Sequence, residues 1–375
     1  MRGLDVGGQA LMCFTLYCGA TFVADVVHCA LHAMARARSP TVARIGALHQ
    51  AHHRFLGPDL RIHREYRIQN LIYHRAPEYL TLVLATSVGF SCLPVRVVCA
   101  VIAFETILAA VATWRGGLDS NHMDLPRLRS SNGGWLVGPM YHAMHHVFPD
   151  NYMGSTTKLF DILFAKGCQI RGRRFAMTGA SGAFGRPLSQ MIEAAGGHVT
   201  PLKYARDYDY DDYERLDPLL RDADVLVLCH GSKVEKAMQA NCDSFVAIIE
   251  RFRRVGRDRQ LPVEVWAVGS EIEAHPAWGN PDLEIYLRSK RAFAKHARRY
   301  FHDAGIVYRH IVPSAYTSPM GKGLMSGATA AAIAMFFIRR GFRYVPVTYT
   351  GIALFNWLRF LWPADAIAFA EPPRE

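Results

Sequence analysis

Three short stretches put histidines at helical spacing: His28-Cys29-Ala30-Leu31-His32, His49-Gln50-Ala51-His52-His53 and His142-Ala143-Met144-His145-His146. Residues three and four apart share one face of a helix. Each stretch therefore aims two or three imidazoles at one point. Of 17 histidines in 375 residues, eight fall in these fifteen positions. Scattered core or surface histidines do not concentrate in that way. Imidazole suits Zn, Cu, Fe and Ni. Four ligands fill a tetrahedral zinc, so eight predict two metal ions. Asp25, one turn before His28, is placed to accept the other N–H of a ligand imidazole.

A second set of chemical residues lies in the other half. A strand at Phe175-Ala176-Met177 runs into Thr178-Gly179-Ala180-Ser181-Gly182-Ala183-Phe184-Gly185, and a helix follows. Gly179, Gly182 and Gly185 let the backbone approach a pyrophosphate at a helix N-terminus, with Ser181 beside them. Tyr286 and Lys290 sit one helical turn apart. A lysine so placed lowers the phenol pKa and makes it a usable acid/base. Ser270 ends a strand that runs Val263 to Val268, and Asn241 lies on an earlier helix. Lys203, at the end of the second strand, favours a 2′-phosphate and so NADP over NAD, with Arg206 able to help.

The elements that must position these residues differ between the halves. Gly7 to Ala24 is an uncharged run of 18 residues, long enough to span a bilayer. It leads straight to His28 and His32, so cleavage as a signal peptide would discard ligands. Arg36, Arg38 and Arg44 follow and predict a cytoplasmic face. Leu80 to Trp114 is apolar except for Arg96 and Glu105, and predicts a helical hairpin turning at Pro94. An even number of crossings returns the chain, so His122 rejoins the same side. Beyond residue 170, strands at 198–202, 224–229, 263–268 and 307–312 alternate with helices. That alternation predicts an α/β doubly wound parallel sheet. The net charge of +11 fits basic loops beside membrane spans. No nucleic-acid motif accompanies it. The 8 cysteines are scattered without a CxxC pair, which excludes a disulfide framework or a cysteine zinc site.

The order HxxxH, HxxHH, HxxHH, with Asn151-Tyr152-Met153-Gly154 and Phe160-Asp161-Ile162-Leu163-Phe164 after it, resembles the fatty acid hydroxylase/sterol desaturase superfamily over residues 20–166. The resemblance implies an α-helical membrane domain with a di-iron centre. That centre uses dioxygen on an unactivated C–H bond of a lipid. It makes His28, His32, His49, His52, His53, His142, His145 and His146 metal ligands, and adds His122. His74 also matches a recurrent family position, as a supporting residue. The second half, over residues 172–345, resembles the short-chain dehydrogenase/reductase family. That implies Tyr286 as proton donor/acceptor, Lys290 as its activator and ribose ligand, Ser270 as stabiliser of the substrate oxygen, and Asn241 as a relay. Two departures stand out: Cys229-His230-Gly231 replaces Asn-Ala-Gly, and Pro313-Ser314 replaces Pro-Gly.

The order of halves resembles bacterial bifunctional sterol desaturase/short-chain dehydrogenases. It implies a membrane domain over 1–168, an NAD(P)-binding domain over 172–345, and an interfacial basic-aromatic tail over 346–375. The expectation is an integral membrane oxidoreductase with both sites facing the cytoplasm. It would hydroxylate or desaturate a lipid with two Fe ions, then interconvert alcohol and carbonyl with NADP or NAD. A separate reductase or ferredoxin-like donor would supply electrons, since no cysteine cluster suits an iron–sulfur site. Two alternatives stay open: an aldehyde-processing enzyme like those of wax synthesis, and a second half that binds dinucleotide for regulation without turnover.

Overall fold

The computed structural model describes residues 6–125, 129–130, 134–277 and 279–362. The chain divides into two compact units, Met1–Gln169 and Ile170–Glu375.

The first unit is helical. α1 (Val6–Ala35) carries the first histidine pair, and α2 (Pro40–Leu48) and α3 (Gln50–Phe55) carry the second group. α4 (Arg67–Asn70) runs through a π-helical stretch, Leu71–Arg75, into α5 (Ala76–Ser87), and α6 (Val95–Trp114) returns after Pro94. α7 (Pro139–Val147) carries the third histidine group, and α8 (Leu159–Phe164) closes the unit. Pro40, Pro77 and Pro139 stand in the first turns of α2, α5 and α7, where a missing N–H costs nothing. The turn at Pro94 is where the apolar pattern places it. The first arm, however, is not one long α-helix: α5 has 12 residues. Among the described residues two helices are long and apolar enough to cross a membrane, α1 and α6.

The second unit has a six-stranded, all-parallel sheet in the order β2-β1-β3-β4-β5-β8. Its strands are β1 (Arg174–Thr178), β2 (His198–Leu202), β3 (Val225–Leu228), β4 (Val263–Val268), β5 (Ile306–Pro313) and β8 (Tyr344–Val347). β6 (Tyr316–Thr317) and β7 (Met325–Ser326) form a separate small pair. The helices are α9 (Gly185–Ala194), α10 (Leu216–Asp222), α11 (Ser244–Val255), α12 (Pro281–His302), α13 (Gly327–Arg339) and α14 (Ile352–Trp357). β3 and β4 are buried at every position, as helices on both faces of a parallel sheet require. The strand order reverses between β1 and β3. In such sheets ligands bind there, at the carboxyl ends of the strands.

The last strand corrects one expectation. The boundary expected at residue 346 falls inside β8, and the chain after it belongs to the second unit. Ala353, Asn356 and Phe360 are buried. Arg343, read as part of an interfacial patch, donates through Nε to the Tyr308 carbonyl at 3.1 Å and through Nη2 to the Phe301 carbonyl at 2.9 Å. Residues 363–375 of the expected tail lie outside the described residues.

Candidate metal centre and dinucleotide site

Each histidine cluster is carried by one or two short turns of helix, so its rings share a direction. In space the nine predicted imidazoles sort into two groups. His28, His32, His49, His53 and His145 form one, and His52, His122, His142 and His146 the other. In each group the ligand nitrogens lie within 4.8 Å of one another. Two nitrogens bound at about 2.1 Å to one ion, a right angle apart, stand about 3.0 Å from each other. The Nε2 atoms of His28 and His32 are 3.2 Å apart, and those of His32 and His53 are 3.1 Å apart. In the second group His122–His142 is 3.1 Å and His142–His146 is 3.2 Å.

The proton arrangement agrees with this. His146 Nδ1 faces the Leu56 carbonyl at 2.7 Å and His145 Nδ1 the Asn151 carbonyl at 3.0 Å. A carbonyl only accepts, so Nδ1 carries the proton and Nε2 offers its lone pair inward. Both ring nitrogens of His49 and His52 are buried without a hydrogen-bond partner among the described residues, as is Nε2 of His145. Buried polar nitrogens left so are costly. Two cations would take up one nitrogen of each ring, and the nitrogen-only donor set fits Fe or Zn.

Three positions differ from the sequence reading. His74 stands inside the cluster, with its ring stacked on His52 at 3.7 Å between centroids and a nitrogen within reach of His49 and His52. It lies on the π-helical stretch, a feature that recurs at functional sites. Asp25 orients no imidazole; its Oδ1 accepts from the Ser155 backbone N–H at 2.9 Å. That role falls to Asp119, whose Oδ1 accepts from His122 Nδ1 at 2.7 Å. A cavity of about 890 Å³ opens beside the histidines, lined by His28, His74, His122 and His142 and by apolar residues of α5 and α6.

In the second unit the glycine loop follows β1 at the point where the strand order reverses. Gly179 has φ +65°, and a Cβ there would stand 2.6 Å from the Cys229–His230 peptide. A Cβ on Gly185 would stand 2.0 Å from the Gly179 carbonyl oxygen. Only glycine fits either place. Gly182 and Ser181 are exposed on the loop, free to meet a phosphate. The departure at His230 has a structural role. Its Nδ1 lies 2.7 Å from Thr178 Oγ1 and its Nε2 2.8 Å from Ser244 Oγ, tying the ends of β1 and β3 to α11.

Tyr286 hydrogen-bonds Ser270, and burial pushes the phenol up to about 12 despite that bond. Lys290 donates to the Val268 carbonyl at 2.9 Å, with Nζ 5.8 Å from the Tyr286 ring centroid. Burial pushes its ammonium down to about 8, with Glu273 opposing. The expectation that Lys290 depresses the Tyr286 phenol is therefore not met by these residues alone. Asn241 is fully buried on a second π-helical stretch, Gln239–Asp243. Its amide donates to the Ser232 carbonyl at 2.6 Å and to Ser289 Oγ at 3.0 Å, and its oxygen accepts from Ser232 N at 3.2 Å. These bonds hold the loop after β3 rather than leave the amide open as a relay. Lys203 is exposed after β2. Arg206 is paired with Asp207 at 2.7 and 2.8 Å, which offsets the charge it would bring to the expected phosphate contact.

An acid pair behind Ser270 was not visible in the sequence. Glu271 accepts from Thr350 Oγ1 at 2.9 Å, from Ala353 N at 3.1 Å, and from Ser314 and Thr348. Glu273 accepts from Asn356 Nδ2 at 2.7 Å and faces His310 Nε2 at 3.0 Å. The pair fastens α14 beside the end of β4.

No known-family profile matches the chain. It is 28% identical over 386 residues to a Synechocystis protein, monoglucosyldiacylglycerol epimerase, with 88% of this chain and 90% of that one covered. Solved structures similar to it include a short-chain dehydrogenase from Burkholderia cenocepacia in complex with NADP. That match has 16% identity and TM-score 0.43, over 51% of this chain and 95% of that one. Another is the 3-alpha-hydroxysteroid dehydrogenase from Pseudomonas sp. complexed with NADH. Its values are 18% identity and TM-score 0.36, over 48% and 97%.

Proposed function

We propose that the chain is a membrane-bound, lipid-modifying oxidoreductase with two chemical sites. The observation that carries this is the convergence of nine imidazoles into two groups beside a large, mostly apolar cavity. Iron held by neutral imidazoles supplies dioxygen chemistry able to attack an unactivated C–H bond. The protein's own part is to fix the nitrogens, orient them through Asp119 and the Leu56 and Asn151 carbonyls, and keep water from the reacting carbon. In the second unit the glycine loop holds the dinucleotide phosphates. Ser270 and Tyr286 would bind a carbinol or carbonyl oxygen, and Tyr286 would exchange its proton, with NADP or NAD supplying or accepting the hydride when bound. An external reductase or ferredoxin-like partner supplies electrons to the metal site, and both sites face the cytoplasm.

A second reading is favoured by the Synechocystis relative, which is named for epimerising a glycosyl lipid and aligns across both units. Here the dinucleotide site would invert one carbinol carbon of a lipid headgroup. Tyr286 would take the hydroxyl proton while the oxidised dinucleotide took the hydride, and after the carbonyl had turned over, the hydride would return to its opposite face and Tyr286 would give the proton back to the oxygen. The two readings part on dioxygen. Protein purified in detergent should contain close to two equivalents of iron and should consume dioxygen when given lipid, dinucleotide and an electron donor. Epimerisation needs neither dioxygen nor net dinucleotide. A single zinc that survives chelation, with turnover in the absence of air, decides for the epimerase.

A further inference from the structure

α6 carries one acid in an otherwise apolar helix. Glu105 is 2% exposed and lines the cavity beside the histidines. Its Oε1 accepts from Thr86 Oγ1 of α5 at 2.8 Å, and its Oε2 has no partner among the described residues. An apolar chain would leave that oxygen unsatisfied, at the cost of an unpaired buried polar atom. Something polar is expected to reach it.

The place is specific. Leu108, Ala109 and Ala112 share the Glu105 face of α6, and Glu78 and Leu82 continue the wall along α5. Thr86 lies a little over three helical turns beyond His74, about 18 Å at 1.5 Å per residue. The cavity thus has a histidine end and a carboxyl end, well separated. We propose that it takes an elongated lipid alcohol, with the hydroxyl seated on Glu105 and the far end of the molecule at the histidines. This rests on the lipid-modifying reading of the first unit and names the substrate class within it.

The chemistry selects a hydroxyl. It donates to a carboxylate and accepts from a carboxylic acid, so it satisfies Oε2 in either protonation state. An ester carbonyl only accepts. An amine would bury a second charge whose desolvation the pairing must offset. An alkane offers nothing.

The test is equilibrium binding of labelled hexadecanol to the full chain in detergent, with hexadecane and hexadecylamine as competitors. Hexadecanol should bind at least about tenfold tighter than hexadecane, the scale of one buried hydrogen bond to a charged group. Glu105→Leu should erase that preference. Glu105→Gln, which keeps an acceptor for Thr86 and gains a donor, should retain most of it. Equal affinity for the alcohol and the alkane in the unaltered protein overturns the proposal, even if the Leu variant does not fold. So does a Leu variant that keeps the preference, or tighter binding of the amine. Iron content and dioxygen use report separately on the lipid-oxidising reading, and neither needs Glu105.

Discussion

His122 Nδ1 meets Asp119 Oδ1 at 2.7 Å, while Asp119 Oδ2 holds Arg75 at 2.9 Å. The same carboxylate accepts the backbone N–H of Asn121 and of His122, each at 2.8 Å. One loop acid therefore fixes the tautomer, the orientation and the local backbone of an imidazole in the second histidine group. Carboxylates that hold a ligand histidine typically contribute ten- to a hundredfold in metal affinity. Asp119→Asn should weaken the second group by about that factor and leave the first group's ion in place. Chelator titration followed by metal analysis reads this directly. If both equivalents leave together, or neither is weakened, Asp119 is not an orienting residue.

Glu264 is the charged centre of the sheet. It is 2% exposed on β4, accepts from Trp266 Nε1 and Arg309 Nε, each at 2.8 Å, and pairs with Arg173. Burial alone would raise its carboxyl, but the two guanidiniums outweigh that and hold it at about 2. Because the folded value lies below the unfolded one, the stabilisation is full above about 4.5 and fades as pH falls toward 2. Glu264→Gln removes the buried countercharge that Arg173 and Arg309 share and should cost about 3–5 kcal/mol. Thermal unfolding of the full chain at neutral pH checks the size. The variant should also lose the part of the acid sensitivity between pH 4.5 and 2 that Glu264 is expected to contribute.

What the sequence made legible followed its regular periods. The histidine groups keep the i, i+3 and i+4 spacing on helical backbone, with His49 at the junction of α2 and α3, and the Tyr286–Lys290 spacing is one turn of α12. Where the backbone departs from that period, the reading failed. His74 lies on a π-helical stretch, where the extra residue per turn breaks the rule that places neighbours. β8 was missed because Tyr344-Val345-Pro346-Val347 is short and holds a proline. Proline is tolerated on a sheet edge, and β8 and β2, with Pro201, are the two edges. The roles of Glu271, Glu273 and Arg343 went unread because their partners, Thr350, His310 and Tyr308, are remote in sequence.

The dinucleotide preference now rests on fewer groups than the sequence offered. Arg206 is neutralised by Asp207, whose Oδ2 also accepts the Lys203 backbone N–H at 2.7 Å. That leaves the exposed Lys203 side chain as the cation near a 2′-phosphate. A lean toward NADP is still expected, but a small one, because an exposed ion pair contributes at most about 1 kcal/mol. Titrating both cofactors against protein fluorescence should give NADP about fivefold or less tighter than NAD. Lys203→Glu should reverse the order. Tighter NAD binding by the unaltered chain refutes the lean.

The last prediction concerns the order of events. Hydride carries two electrons at once, whereas iron centres ordinarily take them singly, so a dinucleotide bound at Tyr286 cannot reduce the metals without a flavin or an iron–sulfur carrier. The described cysteines are all free thiols, distributed along the chain, and no histidine group includes one. The dinucleotide site should therefore act on a product of the metal site and not feed it. On the proposed reading, an alcohol made at the histidines would be a substrate for Ser270 and Tyr286. With the phenol held up near 12, Tyr286 is a proton donor across the neutral range in the absence of cofactor. Carbonyl reduction should then vary little with pH from 7 to 9, while alcohol oxidation, which needs the phenolate, should rise with pH. Tyr286→Phe removes the transferable proton and should slow interconversion by a hundredfold or more, with dinucleotide binding kept. Supplied with lipid, dioxygen and an external electron donor, the variant should accumulate hydroxylated lipid and form no ketone or aldehyde. If it stays folded and metal-loaded yet loses the first oxygenation too, the two sites share an electron supply and the sequential order is wrong.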